Sequence, residues 1–189
     1  MAQHMLLLVV APPLIVYGRP LLAFVIGCSV PTRRVLQRFE HRLPLNVLGH
    51  PAVVWTAYTG VLWTWHLPGL YQAAVGSSGV HVLEHAMFLG VALLLWGTVI
   101  GAGTRRRVTY GAALALAFTT MLPSVWLAMI ISFAPHPLYP VYGSLSDQQF
   151  AGAVMWAPMA LGSMVTVGVL VLRFIRMYDM RFASRTVDA

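Results

Sequence analysis

The chain has 189 residues, 59% of them apolar and only 9% charged, with a mean hydropathy of +0.76. A soluble domain carries about 25% charged residues, so this composition is that of an integral membrane protein. All 12 basic residues are arginines, and the formal charge of +7 arises from short arginine clusters between apolar runs, a pattern of membrane loops and not of a nucleic-acid-binding face.

A transmembrane helix needs about 20 mainly apolar residues. The first span is expected over residues 2–17, and the opening MAQHMLLLVVAPP lacks the basic region of a signal peptide. Residues 20–46 hold an apolar stretch and then an arginine-rich one, which reads as a re-entrant or interfacial segment with an amphipathic helix near 32–42. Cys28, the single cysteine, excludes an internal disulfide and is read as packing. Further spans are expected over 50–67, 81–102, 109–134 and 150–174. The predicted architecture is all-α: one transmembrane helical domain over 1–189, a bundle of about five membrane helices plus the interfacial segment. Pro12-Pro13, Pro123 and Pro158 fall inside spans, where each frees carbonyls and kinks its helix. Gly97-x-x-x-Gly101 permits close helix contact.

Arginine placement sets the orientation. Arg33, Arg34, Arg38 and Arg42 lie between spans one and two, Arg105, Arg106 and Arg107 between spans three and four, and Arg173, Arg176, Arg181 and Arg185 at the end of span five and after it. The 67–80 and 135–149 loops have no basic residue. By the positive-inside rule the N-terminus is outside and the C-terminus cytoplasmic.

With that topology, five of the seven histidines gather at the outer face: His4, His66, His81, His85 and His136. His41, beside Arg38 and Arg42, reads as part of a solvated charged face, and His50, before Pro51, as a helix start. His66 beside Trp63 and Trp65 has a plain alternative as a headgroup anchor, and His136 within Pro135-His136-Pro137 as a loop residue. His81-Val82-Leu83-Glu84-His85 is different. Residues i, i+3 and i+4 share a helix face, so two imidazoles and a carboxylate converge there. Ionisable groups in a membrane helix are costly, and they mark function. In span five, Gln148, Gly152, Met155 and Met159 align on one stripe, and Met1 and Met5 flank His4. Imidazole and thioether ligands without thiolates suit Cu(I) better than zinc or magnesium. Asp147 is expected as the N-cap of span five.

These residues resemble the CtaG family of cytochrome c oxidase assembly factors, the branch found with caa-type bacterial oxidases. The resemblance is carried by Gln3-His4-Met5-Leu6-Leu7 through Ala11-Pro12-Pro13-Leu14, by His81-x-x-Glu84-His85, by Pro137-Leu138-Tyr139 with Tyr142, and by Asp147-Gln148-Gln149 through Gly152 to Met155-Trp156. Their order and spacing fit over most of the chain. The resemblance implies copper handling at the outer face of a bacterial cytoplasmic membrane, with His4, His81, His85 and Met155 as ligands. Glu84, His66, His136, Asp147 and Met5 are supporting groups. The implied partner is subunit I of an oxidase, or its assembly intermediates, and the implied role is delivery of copper and not turnover. Family members usually have further spans before the Gln-His-Met motif, where a relative would read His-Met-x-Gln-His-Met; this chain is expected to be a short member or one whose start lies late.

Three other functions compete at this point. A b-type haem needs imidazoles on opposite sides of one plate, which His81 and His85 on one face do not offer. An intramembrane metalloprotease would use H-x-x-E-H as an inverted zincin motif, with Asp147 as the available outer third ligand. A plain scaffold would use the polar residues for packing.

Overall fold

The computed structural model describes residues 1–18, 27–30, 45–101 and 108–187. Among these all regular structure is helical. The expected interfacial segment 20–46 lies almost wholly outside the described residues, as do His41 and Arg33, Arg34, Arg38, Arg42, Arg105, Arg106 and Arg107.

Helix α1 is Ala2–Gly18. Within it Leu6–Val10 form a π-helical turn, with the Ala11 N–H donating to the Leu6 carbonyl five residues back. The prolines explain this. In an α-helix the Leu8 carbonyl would accept from residue 12, and in a π-turn from residue 13; both are prolines without an N–H. The orphaned Leu8 carbonyl instead accepts from Trp96 Nε1 at 2.8 Å.

Helix α2 (Pro51–Trp65) starts where Pro51 fixes its first turn, and His50 before it is extended, at φ −71 and ψ 128. The expectation that His50 opens a helix agrees with this. Helix α3 (Pro68–Gly76) repeats the device, with Leu67 at φ −65 and ψ 134 before Pro68. Residues 67–80 are thus not the plain loop expected from the sequence, and Pro68 at the first helical position is the local signal for the helix. Helix α4 (Ser78–Ile100) ends at Gly101, whose φ of 81 and ψ of 65 require a residue without a Cβ penalty. Helix α5 (Tyr110–Ser132) is capped by Thr109, whose hydroxyl accepts from the Ala112 N–H at 3.1 Å. Pro123 lies inside α5, and its own carbonyl accepts from Trp63 Nε1 at 3.2 Å, which ties α2 to α5. Helix α6 (Leu145–Val187) has 43 residues. At about 1.5 Å per residue it is roughly 65 Å long, well beyond a bilayer core of about 30 Å. Its N-cap is Ser144, whose hydroxyl accepts from the Asp147 N–H at 3.2 Å. Asp147 sits in the first turn, where an acid favours the helix dipole, and is not itself the cap.

Three of these helices are long and apolar enough to cross a membrane: Ser78–Ile100, Tyr110–Ser132 and Leu145–Arg176. The helices at the other two expected spans, α1 and the 15-residue α2, are shorter than a full crossing of about 20 residues.

The contacts fix the relative directions of the helices. His4 meets Glu84 at one end of the bundle. Val16 and Tyr17 share a cavity with Ile100, Gly101 and Arg173 at the other. So α1, α4 and α6 run the same way. Helix α2 brings His66 to Phe88, and Tyr58, earlier in the chain, to a cavity shared with Leu95. Ile131 at the end of α5 meets Gln148 at the start of α6. These two helices therefore run opposite to the other three. Without a hydrophobic force between helices in lipid, close backbone approach holds such a bundle. Gly152 supplies it: a Cβ there would collide with the Ser132 side chain and lie 2.8 Å from the Ser132 nitrogen. Gly162 gives α6 the same closeness to Val9 on α1. Phe88, Leu8, Leu62, Ile131 and Met155 fill the centre, while Phe118, Trp126, Phe150 and Trp156 point outward.

Candidate metal centre

Because α1 and α4 start at the same end, His4 in the first turn of one faces the first two turns of the other. The 3.6-residue repeat puts His81, Glu84 and His85 on the face that meets it. His4, His81, Glu84 and His85 each present a ligand atom, and these atoms all lie within 4.8 Å of one another. Metal–imidazole bonds of about 2 Å place two ligands at most about 4 Å apart. Small side-chain rotations, each moving an atom by under about 1 Å, would close the set on one ion.

The cluster is graded in burial. His4 and Glu84 are buried, with 6% and 2% exposure, while His81 and His85 are half-buried. His4 Nε2 lies 3.5 Å from Glu84 Oε2. His81 Nε2 and His85 Nε2 are 2.9 Å apart. In such a pair one Nε2–H donates to the other Nε2; with that proton moved to Nδ1, both Nε2 lone pairs would address the same space. The His4 ring stands edge-on to both, at 5.1 Å from His85 and 6.3 Å from His81.

Among the described residues, His4 Nδ1 and Glu84 Oε1 have no hydrogen-bond partner. A buried polar atom without a partner costs about 1–3 kcal/mol, and more when it carries charge. Three neutral imidazoles and one carboxylate would offer a monovalent cation full charge balance and would leave a divalent one with an unbalanced positive charge. Imidazole is a borderline donor that suits copper as well as zinc, iron and nickel.

The other expected site residues are spread out. His66 is buried beside Phe88 and Tyr71, with ring separations of 6.1 and 6.4 Å. It is a satisfied core residue on one side, its Nδ1 lying 2.6 Å from the Leu62 carbonyl. Met5 and Met155 are buried in the apolar core. His136 is exposed, and so is Asp147, and neither belongs to the cluster.

Four residues at this end have structural roles that the sequence does not announce. Gln148, fully buried, accepts from the Leu138 and Tyr139 N–H groups at 2.6 and 3.1 Å and donates to the Ile131 carbonyl at 3.4 Å. Tyr139 in turn donates to the His66 carbonyl at 2.7 Å. Tyr71 and Tyr142 pair through their hydroxyls at 2.7 Å. Tyr139 and Tyr142 entered the sequence reading only as parts of a family motif. Burial pushes the Tyr139 phenol up to about 12, with the nearby Tyr142 adding to the effect. The Tyr71 phenol is raised further, by burial first and then by its bond to Tyr142. The loop after α5 is therefore stitched both to the start of α6 and to the end of α2, beside the histidine cluster.

The molecule so described is a bundle with apolar helices of membrane length and a histidine–carboxylate cluster at one end. The chain belongs to the Caa3_CtaG family of cytochrome c oxidase caa3 assembly factors, which it matches over residues 1–179. The resemblance read from the motifs holds, and a part in oxidase assembly is the role of the family. Comparisons with curated proteins and with solved structures find no match.

Proposed function

We propose that the chain carries copper as Cu(I) at His4, His81 and His85, with Glu84 balancing its charge, and passes it to the haem–copper centre of a cytochrome c oxidase. The copper is cargo and the chain is a carrier, not an enzyme. The observation that supports this reading most is the convergence of His4, from a separate helix, on the H-x-x-E-H face. The partner is subunit I or an assembly intermediate containing it, and the site faces the outer, periplasmic side, where the arginine-free loops lie. The ligands are neutral and include no thiolate, so binding is firm enough to hold Cu(I) and loose enough to release it. Met5 and Met155 are the thioethers available to assist.

Neither alternative gains support. His81 and His85 share one helix face with their Nε2 atoms 2.9 Å apart, so they do not stand on opposite sides of a haem plate. A zincin-type site needs a free carboxylate as base, whereas Glu84 lies against His4, and Asp147, the acidic ligand expected for it, is outside the cluster.

The test is made in cells and in the purified protein. Cells lacking the chain, grown with limiting copper, should assemble an oxidase that has haem but lacks copper at its haem–copper centre. The purified protein should bind Cu(I) and show no Soret band. A fully copper-loaded, active oxidase in the deletion strain, with no second assembly factor present, would refute the role.

A further inference from the structure

The end of the bundle opposite the histidines holds a cavity of about 240 Å³, lined by Val16, Tyr17, Ile100, Gly101 and Arg173. A water takes up about 30 Å³, so the space suits a group of several heavy atoms. Helix length sets its depth. Helix α4 has 23 residues and, at about 1.5 Å per residue, runs about 35 Å; starting at one headgroup level, it ends at the other. Arg173 lies in the last turn of the apolar part of α6, which closes at Arg176. Both elements bring the cavity to the level of the lipid headgroups.

The lining carries both signs of charge. Arg173 makes no ion pair among the described residues, and the acids whose side chains are described, Glu84 and Asp147, stand near the starts of α4 and α6, at the other end. A guanidinium is a planar fork of donors that matches a phosphate. On the other wall, Gly101 ends α4 in the left-handed conformation, and Ile100 and Gly101 both border the cavity. The carboxyl end of a helix has about half a negative charge and carbonyls in need of donors. Val16 and Ile100 add apolar surface, and the Tyr17 phenol, 71% exposed, is the amphipathic ring common at headgroup level.

We infer that this cavity binds the headgroup of a phospholipid that carries a primary ammonium beside its phosphate. Arg173 takes the phosphate, the ammonium donates to the end of α4, and the glycerol rests on Val16 and Ile100. A free phosphate would meet the helix end with like charge. A quaternary ammonium has no N–H to donate, and a headgroup with phosphate but no ammonium satisfies Arg173 alone. The site is independent of the metal cluster, which lies across the bilayer from it.

The experiment uses the full chain, delipidated in mild detergent, with retained lipid counted by native mass spectrometry. The probes are phosphatidylethanolamine, phosphatidylcholine, phosphatidylglycerol and inorganic phosphate. Wild type should retain phosphatidylethanolamine about tenfold more than either other lipid, the ratio that one charge-assisted hydrogen bond implies. Inorganic phosphate should not displace it. Arg173→Gln removes the phosphate contact, while Val16→Phe narrows the cavity and keeps the guanidinium; both should lower retention to the level of the other lipids. The thermal midpoint of each variant without lipid shows which are folded, and either folded variant suffices. Equal retention of the three lipids by wild type would overturn the site. So would wild-type retention in a folded variant, and displacement by inorganic phosphate would make it a free-anion site instead.

Discussion

Replacing Gln148 by leucine isolates the contact that holds the outer loop. The side chains are similar in size, so little cavity is created and the effect comes from hydrogen bonds alone. Gln148 accepts at 2.6 Å from Leu138 and at 3.1 Å from Tyr139, and donates at 3.4 Å to Ile131. The Tyr139 amide is in a buried contact and would bear the full penalty of an unpaired donor, about 1–3 kcal/mol. The Leu138 contact is part-buried, so water recovers some of its loss. The Ile131 bond is long and contributes least. A net loss of about 3 kcal/mol follows, roughly a hundredfold in the local opening equilibrium. Amide hydrogen exchange reads this directly: the Leu138 and Tyr139 amides should exchange about 100 times faster, with the amides in the middle of α4 unchanged. Exchange at those two amides within about threefold of wild type would show that Gln148 does not hold the loop.

Within the metal cluster, Glu84→Gln should weaken Cu(I) binding by about 10–100-fold, with His81→Ala and His85→Ala weaker still, measured by chelator competition; three variants that all bind like the parent would place the site elsewhere. Neutral imidazole binds metal and imidazolium does not, so apparent affinity should fall as the pH is lowered, and a pH-independent affinity would contradict imidazole ligation. Trp96→Phe would strand the Leu8 carbonyl, whose helical partners Pro12 and Pro13 have no N–H, and should cost about 1–3 kcal/mol, read as a lower thermal midpoint in detergent; an unchanged midpoint would mean the carbonyl finds another donor. The Tyr139 phenol, raised to about 12 in the fold against about 10 in an unfolded chain, stabilises the fold fully below pH 10, and that contribution is lost as pH rises toward 12. Absorbance titration should show one fewer late-ionising phenol in Tyr139→Phe than in wild type, and curves with the same number would remove it.

The parts legible in the sequence were those fixed by local periodicity. The H-x-x-E-H face follows from the 3.6-residue repeat, and the same repeat aligned Gln148, Gly152, Met155 and Met159, all of which the structure buries. His4 was reachable through depth: two helices starting at the same end bring their first turns to one level. What escaped needed partners distant in the chain. Nothing local to Gln148 says that its amide accepts from Leu138 and Tyr139, and nothing near Tyr71 announces Tyr142, 71 positions on. Asp147 drew attention as a cap because it is acidic, yet Ser144 three residues earlier has the short hydroxyl that reaches the free N–H. Helix α3 was overlooked because nine residues between a proline and a glycine are too few to show a period.

The π-turn at Leu6–Val10 also sets the phase of the helix that carries His4. One extra residue in that turn rotates everything before it by about 100° relative to the part that follows. The azimuth of His4 is therefore written not by its own neighbours but by the two prolines that oblige the helix to widen. Replacing Pro12 and Pro13 with the chain length unchanged would let the turn tighten to α-helix, keep every side chain of the cluster in place on α4, and swing the imidazole of α1 about a quarter-turn away from it.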